Sequence, residues 1–379
     1  MDGGIYEIYQ KALRMQSEGK SIIHMEIGKP DFDSPEGAKK AAIESLNSGF
    51  VHYTGGTGTP EIRKAICDKE RRENGIVADP DTEIMVTAGA CEALLSVFMT
   101  ILDPGDEIMI PSPYFPAYSD MVYLAGGVLN DVTLTMEKGF ALTREDLEKA
   151  YNSKVKAVLV NTPSNPSGVI IDEKELKKIA DFAIEKDLIV ISDETYDQFL
   201  FEGKHKSIST FPGMKERTII INSSSKIFSM TGWRVGYAIM PKEMVPYANK
   251  IHQNMSTCAT SFVQQGVAYA YEHEMDFTRG MIKEFKERRD IIIKALSEID
   301  GIKFVEPKGA FYILPDISKF GISSAEFCAR LLEEKGVAAS PGESFGKAGE
   351  GCFRMSYACS KDEIIEAMKR LKEFVASLN

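Results

Sequence analysis

Residues 218–236 read Thr218-Ile-Ile-Ile-Asn-Ser-Ser-Ser-Lys226-Ile-Phe-Ser-Met-Thr-Gly-Trp-Arg234-Val-Gly236. The apolar run at the start predicts a buried strand that ends in three serines and Lys226, and Arg234 follows eight residues later. A lysine at the end of a buried strand is unfavourable unless it is paired, covalently engaged or within reach of solvent. A lysine that is desolvated beside another cation has a lowered pKa and attacks carbonyl groups, as Schiff-base chemistry requires. A solvated lysine at a strand end is the alternative interpretation of this stretch.

Around this stretch, short β-branched runs alternate with helical patterns between about residues 80 and 240. This alternation is typical of an α/β fold, with a parallel sheet and helices packed on its faces. After residue 275 the pattern changes to one long charged helix at about 276–297, two strand candidates around Lys303 and Phe311, and then helix, strand and helix, which predicts a smaller α+β unit. The strands predicted for the sheet are 83–87, 107–111, 155–161, 188–193, 217–222 and 234–240.

The ends of the other predicted strands carry matching chemical groups. Asp193 closes one strand, Tyr196 follows it, and Asn165 lies in the turn-rich segment 161–168 after the preceding strand. Residues 87–92 predict a strand-to-helix turn whose free N–H groups can hold a phosphate. Ligands of open α/β sheets bind beyond the carboxyl ends of the strands, so all of these groups can converge. Taken singly, Asp193 is better explained as a helix N-cap and Asn165 as a turn residue. All of these groups taken jointly describe a phosphate cradle, an aromatic wall, an acid and a nucleophilic lysine.

Two other motifs in the sequence point elsewhere. The spacing Ser223-x-x-Lys226 matches the SxxK of serine acyl-transfer enzymes, but the companion S-D-N and K-T-G signatures are absent. Residues 55–60, Gly-Gly-Thr-Gly-Thr-Pro, suggest a dinucleotide-binding loop, but no predicted strand precedes them and the third glycine is missing. Neither motif therefore predicts a function.

Composition limits the class of protein. The chain has 379 residues, 44% of them hydrophobic and 27% charged, which is ordinary for a soluble enzyme of about two domains. Its net charge of −11 has the wrong sign for a general nucleic-acid binder. Six cysteines without CxxC spacing indicate neither a disulfide framework nor a metal site, and no apolar run suggests a leader or a membrane span. We expect a soluble cytoplasmic protein without nucleic-acid or membrane partners and without a metal.

Taken together, these segments resemble the fold type I, pyridoxal-phosphate-dependent aminotransferases of class I/II, the aspartate aminotransferase-like family. The resemblance implies pyridoxal 5'-phosphate as cofactor and a large domain with a mostly parallel seven-stranded sheet. It divides the chain into an N-terminal segment (1–40) that packs with the small domain, a large cofactor-binding domain (41–280) and a small C-terminal domain (281–379). The match runs nearly end to end, through residues 27–32, Tyr53, 87–91, 161–168, 192–196, 223–236 and 353–357.

For the cofactor ring, the resemblance assigns a role to each matching residue. Lys226 would form the Schiff base and then shuttle the proton between the substrate α-carbon and the cofactor. Asp193 would pair with the pyridinium nitrogen and keep it protonated, so that the ring acts as an electron sink. Asn165 and Tyr196 would hydrogen-bond the phenolic oxygen of the ring. Phe115 matches the aromatic residue that stacks on the ring.

The phosphate would be held by side chains and by a helix end. The resemblance assigns this role to Ser223, to Arg234 and to the backbone N–H groups of the turn formed by Gly89, Ala90 and Cys91. In this family a tyrosine at the position of Tyr53 reaches the phosphate from the neighbouring subunit. A homodimer is therefore implied.

The substrate side of the site is also matched. Arg354 corresponds to the arginine that binds the α-carboxylate, with Asn165 and Gly28 beside it, and a planar guanidinium fits a carboxylate better than a lysine does. Some bacterial aspartate aminotransferases carry a lysine for the second carboxylate where this chain has Cys91, so one support for aspartate specificity is missing. The resemblance implies ping-pong transfer from an L-amino acid to a 2-oxo acid, with glutamate and 2-oxoglutarate as one couple.

Two alternatives share the same site. One is a pyridoxal-phosphate-dependent carbon–sulfur lyase or synthase of the same fold, since the protein can steer the common carbanion differently. The other is a non-catalytic sensor domain, against which we weigh the absence of a helix-turn-helix extension in the sequence. Amino-group exchange selects the aminotransferase, release of ammonia or a thiol without exchange selects the lyase or synthase, and DNA binding by this chain alone selects the sensor.

Overall fold

A seven-stranded sheet forms the centre of the larger of two structural units. The structure is a computed structural model, and it describes residues 4–378. Its strands are β1 (Ile23–His24), β2 (Ile84–Thr87), β3 (Glu107–Ser112), β4 (Val128–Thr133), β5 (Val155–Asn161), β6 (Ile189–Asp193), β7 (Thr218–Ser223), β8 (Gly236–Ile239), β9 (Tyr312–Ile313), β10 (Val337–Ala338), β11 (Ser340–Pro341) and β12 (Phe353–Ser356). Its α-helices are α1 (Gly4–Ser17), α2 (Glu36–Asn47), α3 (Pro60–Lys69), α4 (Ala90–Ile101), α5 (Ala117–Leu124), α6 (Arg144–Ala150), α7 (Glu173–Glu185), α8 (Ser224–Ile227), α9 (Val245–Met255), α10 (Ser261–His273), α11 (Met275–Ser297), α12 (Ser324–Lys335) and α13 (Lys361–Ala376).

The strand order of the central sheet is β2-β8-β7-β6-β5-β3-β4. Only β8 runs antiparallel to its neighbours, β2 and β7, and the other pairs are parallel. The predicted α/β fold with a mostly parallel seven-stranded sheet is confirmed. Because β5, β6 and β7 are parallel, their carboxyl ends share one edge of the sheet, where ligands of such folds bind.

Burial on both faces explains the continuous apolar runs of the central strands. Ile219 and Ile221 of β7 belong to the apolar cluster that contains Leu94 of α4. Ile220, between them, belongs to the cluster on the opposite face, which contains Ile66 of α3. Since successive side chains of a strand point to opposite faces, both sets must be apolar when helices cover both sides.

Helices α11–α13 and strands β9–β12 form the second unit, in which β11, β12 and β9 make a three-stranded antiparallel sheet. Ile8 and Ala12 of α1 share its buried apolar cluster with Leu331 and Phe374. The short strand β1 pairs in parallel with β10. The division of the chain at residues 40 and 280 stays a prediction.

Three details differ from the sequence-based expectation. Strand β4 was not expected, because its sequence Val-Leu-Asn-Asp-Val-Thr carries polar residues that an edge strand tolerates and a central strand does not. The candidate around Lys303 makes only an isolated bridge to Asp316, and the one around Phe311 begins one residue later, as β9. The N-terminal stretch, expected to have no sheet pattern, contributes β1.

Candidate active site

Three neighbouring strands, β5, β6 and β7, end near one another at one edge of the sheet. In the register of the sheet, Asn161 at the end of β5 lies opposite Asp193 at the end of β6. Asp193 in turn lies opposite Ile221, two residues before Ser223 ends β7. The chain then turns through the short helix α8, which contains Lys226. Lys226 therefore follows β7 at the same edge of the sheet at which Asp193 ends the neighbouring strand β6.

Lys226 is partly exposed and points toward the N-terminal segment. Its Nζ donates a hydrogen bond to the carbonyl of Gly28 at 2.6 Å. The pKa of Lys226 is lowered to about 8, mainly because protein surrounds the amine, and the positive charges of Arg354 and Arg234 add to the effect. A substantial fraction of this amine is therefore unprotonated near neutral pH, which is the condition for attack on a carbonyl group.

Asp193 is buried, with 6% of its surface exposed. It accepts hydrogen bonds from the Tyr118 hydroxyl at 2.5 Å, from the Thr195 hydroxyl at 2.8 Å and from the Thr195 N–H at 3.1 Å. Burial raises the pKa of this carboxyl group despite these bonds. Within residues 4–378 no lysine, arginine or histidine forms an ion pair with it. A buried acid without a basic partner suits a ligand that brings its own N–H group, such as a protonated ring nitrogen.

Tyr196 and Asn165 approach the same space from two loops. The hydroxyl groups of Tyr196 and Tyr312 are 2.7 Å apart and share a hydrogen bond. The backbone N–H of Asn165 donates to Oδ1 of Asn161 at 2.9 Å, and its own Oδ1 accepts from Nη1 of Arg354 at 3.0 Å. The predicted residues of both loops therefore face the arginine predicted for the substrate.

Arg354 lies on β12 and is 4% exposed. Its guanidinium group lies between two aromatic rings, 4.6 Å from the centroid of Tyr312 and 4.7 Å from that of Phe345. Nη2 donates to the carbonyl of Glu26 and, at 3.2 Å, to the hydroxyl of Ser340, while Nε has no partner in the described structure. Burial lowers the pKa of Arg354. A buried guanidinium that bonds only neutral groups is ready to receive a carboxylate.

The turn before α4 is shaped by Gly89. This glycine is the N-cap of α4 and has φ +89°, and a Cβ atom there would lie 2.3 Å from Nη2 of Arg234. Its N–H already donates to the carbonyl of Thr87 at 2.8 Å. Ala90 and Cys91 occupy the first helical turn, where N–H groups have no acceptor within the helix. In this structure the two N–H groups beyond Gly89 are thus the ones open to an anion.

Arg234 is exposed and faces this turn. Nη1 donates to the carbonyl of Thr231 at 3.0 Å and Nη2 to that of Ala88 at 3.2 Å, so no carboxylate neutralises it among residues 4–378. Its backbone has φ +54°, an uncommon value for a residue with a side chain. Ser223 is buried, and its hydroxyl accepts from the N–H of Ser225 at 3.2 Å, which leaves the hydroxyl proton to another partner.

The remaining predicted residues differ in their exposure. Phe115 is partly buried and meets the Tyr118 ring edge-on at 5.5 Å. Cys91 is exposed at the start of α4. Tyr53 is 84% exposed, and no side chain of the described residues hydrogen-bonds its hydroxyl.

Several residues of the site carried no signal in the sequence. Tyr312 and Phe345, which sandwich Arg354, read there as ordinary core aromatics. Tyr118, which bonds Asp193, follows Phe115 by three residues on the start of α5, and this helical spacing is a signal that could have revealed it.

The positively charged side chains of the site lack carboxylate partners. Lys226, Arg234 and Arg354 are close enough to one another for the arginines to lower the pKa of the lysine. None of the three forms an ion pair with a carboxylate within residues 4–378. Three cations without a carboxylate in ion-pair contact create a site for anions, such as a phosphate and a carboxylate.

Comparison with known proteins places this arrangement in a family. The family model described as "Aminotransferase class I and II" matches residues 20–371. The aspartate aminotransferase of Pyrococcus abyssi is 43% identical over 357 residues, covering 93% of this chain and 92% of the relative. Aromatic-amino-acid aminotransferase 2 of Thermococcus litoralis is 42% identical with the same coverage. The crystal structure of the aromatic aminotransferase of Pyrococcus horikoshii OT3 superposes with a TM-score of 0.92 at 41% identity, covering 96% of this chain and 99% of the other.

The family resemblance expected from the sequence is confirmed by these matches. They extend over both structural units, so they concern the whole described fold and not the cofactor cleft alone. The chain belongs to the class I and II aminotransferases, enzymes that use pyridoxal 5'-phosphate to transfer an amino group from an amino acid to a 2-oxo acid.

Proposed function

We propose that Lys226 is the lysine that binds pyridoxal 5'-phosphate and that its amine then takes the proton from the α-carbon of the bound amino acid. The bound cofactor supplies an electron sink for the charge left on that carbon. The single observation that carries the proposal is the lowered pKa of Lys226, about 8, among cations that no carboxylate neutralises. An amine of this acidity is partly unprotonated at neutral pH and suits both tasks.

The residues around Lys226 fit the charges of the cofactor. The buried carboxyl of Asp193 would accept the ring N–H, which gives it the basic partner it lacks. Tyr196 and Asn165 would hydrogen-bond the phenolic oxygen of the ring. Phe115 would cover one face of the ring, supported by its edge contact with Tyr118.

The phosphate would lie between the start of α4 and Arg234. The N–H groups of Ala90 and Cys91, and that of Gly89 once it leaves the Thr87 carbonyl, would donate to it. The Ser223 hydroxyl would add a further donor. A helix N-terminus together with an exposed guanidinium favours a doubly charged anion.

Arg354 would bind the α-carboxylate of the substrate. Its Nε has no partner, and the guanidinium plane is fixed between two rings, as a bidentate carboxylate contact requires. Gly28 would lie beside the bound substrate: its carbonyl accepts the hydrogen bond of Nζ of Lys226, and the position that a side chain would take is occupied by the Tyr312 hydroxyl.

For the substrates, we propose glutamate and 2-oxoglutarate as one couple, and an acidic or aromatic amino acid as the other partner. Relatives of almost equal similarity are named for aspartate and for aromatic amino acids. The exposed Cys91 offers no positive charge to a second carboxylate. This favours the aromatic over the acidic choice for the second partner.

Absorbance spectroscopy tests this function. The protein is loaded with pyridoxal 5'-phosphate, and L-glutamate, L-aspartate and L-tyrosine are added in separate samples. A true substrate converts the visible band of the lysine-bound cofactor to the band of its aminated form, and 2-oxoglutarate reverses the change. A visible band that no amino acid alters would contradict the proposal.

We propose further that two chains form a dimer and that Tyr53 contributes to the site of the neighbouring subunit. Exposed apolar side chains cluster at the end of α2 and in the loop after it: Ile43, Leu46, Phe50, Val51 and Tyr53. Such a cluster is unfavourable in water unless a partner covers it. Sedimentation of wild type and of Val51→Asp tests this, since a dimer that the aspartate separates is expected and a wild-type monomer would contradict it.

We also propose the cytoplasm as the location. The support is the state of the cysteines, all six of which are unpaired. Separately, no helix within residues 4–378 combines the length and apolarity needed to cross a membrane. Fractionation of the native host tests the location, and recovery outside the cytoplasm would contradict it.

A further inference from the structure

Tyr312 lies where the cofactor side and the substrate side of the site meet. It belongs to β9 of the smaller unit and is 1% exposed. Its hydroxyl is 2.7 Å from that of Tyr196, and its ring faces the guanidinium of Arg354 at 4.6 Å. It thus touches two of the residues proposed above, without being one of them.

Either phenol can donate in the hydrogen bond between Tyr196 and Tyr312, and a bound cofactor would select the direction. A phenol has one proton to donate, so Tyr196 can donate to the cofactor only if it accepts from Tyr312. Burial raises the pKa of Tyr312, so its proton stays in place at neutral pH. A hydroxyl that accepts one hydrogen bond becomes a stronger donor in the next.

The ring of Tyr312 has a separate effect on Arg354. The guanidinium is packed between this ring and that of Phe345 and bonds only neutral oxygens within the described structure. Contact with the aromatic face favours the cation and holds its plane. The donors of Arg354 are therefore aimed before any carboxylate arrives.

The Tyr312 hydroxyl also packs closely against Gly28. A Cβ atom built on Gly28 would lie 1.8 Å from Oη of Tyr312, so the hydroxyl fills the position that a side chain would take. The carbonyl of Gly28 accepts the hydrogen bond of Lys226. Tyr312 therefore also packs against the peptide that holds the reactive amine.

We propose that Tyr312 is a positioning residue with two separable roles: its hydroxyl directs the proton of Tyr196 toward the cofactor, and its ring holds Arg354 for the substrate carboxylate. This inference rests on the proposed roles of Tyr196 and Arg354. It adds a residue from the smaller unit to a site built mainly on the larger one.

Tyr312→Phe tests the hydroxyl, because it removes the hydrogen bond and keeps the ring. The readout is the pH at which the visible spectrum of the cofactor-loaded protein changes, together with kcat and KM. Without the hydrogen bond from Tyr312, Tyr196 donates more weakly to the phenolic oxygen, which disfavours the anionic form of that oxygen, so the midpoint pH is expected to rise. A kcat about threefold to tenfold lower is expected, with KM for the amino acid within twofold of wild type.

A double-mutant cycle with Tyr312→Phe and Tyr196→Phe shows whether Tyr312 acts through Tyr196. In the Tyr196→Phe background, adding Tyr312→Phe should leave the midpoint pH unchanged. An equal shift in both backgrounds, or no shift in either, would overturn the role of the hydroxyl. If Tyr312→Phe fails to fold, 3-fluorotyrosine in place of Tyr312 gives the test, since its more acidic hydroxyl should shift the midpoint in the opposite direction.

Tyr312→Leu tests the ring. It is expected to raise KM for the amino acid about threefold to thirtyfold beyond Tyr312→Phe, because the cation loses its aromatic contact. Equal KM values for the two variants would overturn this part. A wild-type protein without a visible cofactor band would instead contradict the proposed function, so the two failures are distinguishable.

Discussion

Two lysines of this chain, the partly exposed Lys226 and the buried Lys69, differ in their electrostatic surroundings. Lys226 donates to a backbone carbonyl and has a pKa lowered to about 8. The Lys69 side chain, at the end of α3 and 1% exposed, donates to Glu70 at 2.9 Å and also to Asp197. Burial opposes its charge, but these two carboxylates outweigh burial and raise the pKa of Lys69. Removal from water alone therefore does not lower the pKa of a lysine. The pKa falls only when the lysine also lacks an anionic partner.

The cluster around Lys69 also stabilises the site from behind. Glu70 and Asn74 lie in a π-helical turn that follows α3 and points both side chains inward. Nδ2 of Asn74 donates to Glu70 at 2.6 Å and to Asp197 at 2.7 Å. Asp197 belongs to the loop that begins directly after Asp193 and contains Tyr196. Lys69 thus stabilises the loop that contains Tyr196, on which the site around Lys226 depends.

The largest effect is expected from Lys226→Ala. Turnover should fall by at least about 10⁴-fold, because Lys226 is the one lysine among the site residues identified within 4–378 that can hold the cofactor and take the substrate proton. Steady-state kcat at saturating amino acid measures this. Lys226→Arg is the matched control, since it keeps the charge and should be equally inactive. Activity within tenfold of wild type in either variant would remove Lys226 from the chemistry.

Lys69→Met should cost stability rather than chemistry. It leaves two carboxylates buried without their cation, so the free energy of unfolding should fall by about 3–5 kcal/mol. Urea unfolding of the cofactor-free protein measures this. Lys226→Met is expected to leave stability unchanged or higher under the same conditions, because that lysine has no anion to abandon.

A surface pair gives the baseline for this comparison. Lys177 pairs with Asp181 on the exposed face of α7, and Lys177→Met should change the free energy of unfolding by less than about 1 kcal/mol. Equal losses for Lys69→Met and Lys177→Met would show that the buried cluster contributes little.

Arg354→Ala should lower kcat/KM by about 2–5 kcal/mol in transition-state stabilisation, as expected when one partner of a desolvated charge pair is removed. The loss should be shared by every amino acid tested, because all carry the α-carboxylate. Arg354→Lys should recover only part of it, since a lysine lacks the planar pair of donors. A near-normal value for Arg354→Ala would mean that another group binds the carboxylate.

The smallest effect concerns pH. Only the unprotonated amine of Lys226 reacts, so the rate at which cofactor-free protein takes up pyridoxal 5'-phosphate should rise about tenfold per pH unit below pH 8 and level off above it. Stopped-flow absorbance between pH 6 and 9.5 measures this. Arg354→Gln removes a neighbouring positive charge and should move the midpoint upward. A rate still rising tenfold per unit at pH 9.5 would mean that Lys226 titrates like a solvated lysine.

The difference between the two lysines also marks what the sequence could predict. Lys226 follows an apolar strand, and this local contrast, together with Arg234, made it a candidate for the reactive group, while the alternation of strands and helices over about residues 80–240 predicted the sheet. Lys69 lies in the helical run Asp-Lys-Glu-Arg-Arg-Glu-Asn, which reads as a solvated surface. Only the π-helical turn and the distant Asp197 make it a core residue, and neither is visible in local patterning.

Long-range contacts explain the other omissions. Tyr312 is 116 residues from Tyr196 and belongs to a strand whose apolar neighbours give it no distinct signal. The edge strand β4 was missed for its polar residues. The strands around Asp193 and Lys226 were predicted to within two residues, since burial on both faces leaves a strong pattern. The roles assigned to single site residues stay predictions until the variants are measured.

The proposal that Lys226 binds pyridoxal 5'-phosphate is tested most directly by finding which lysine carries the cofactor. The protein is loaded with pyridoxal 5'-phosphate and reduced with borohydride, which makes the link to the lysine permanent, and its peptides are analysed by mass spectrometry. We expect one modified peptide, the one that contains Lys226, and an unmodified Lys69 in the same digest. Modification at Lys69, or a Lys226 peptide without the added mass, would contradict it.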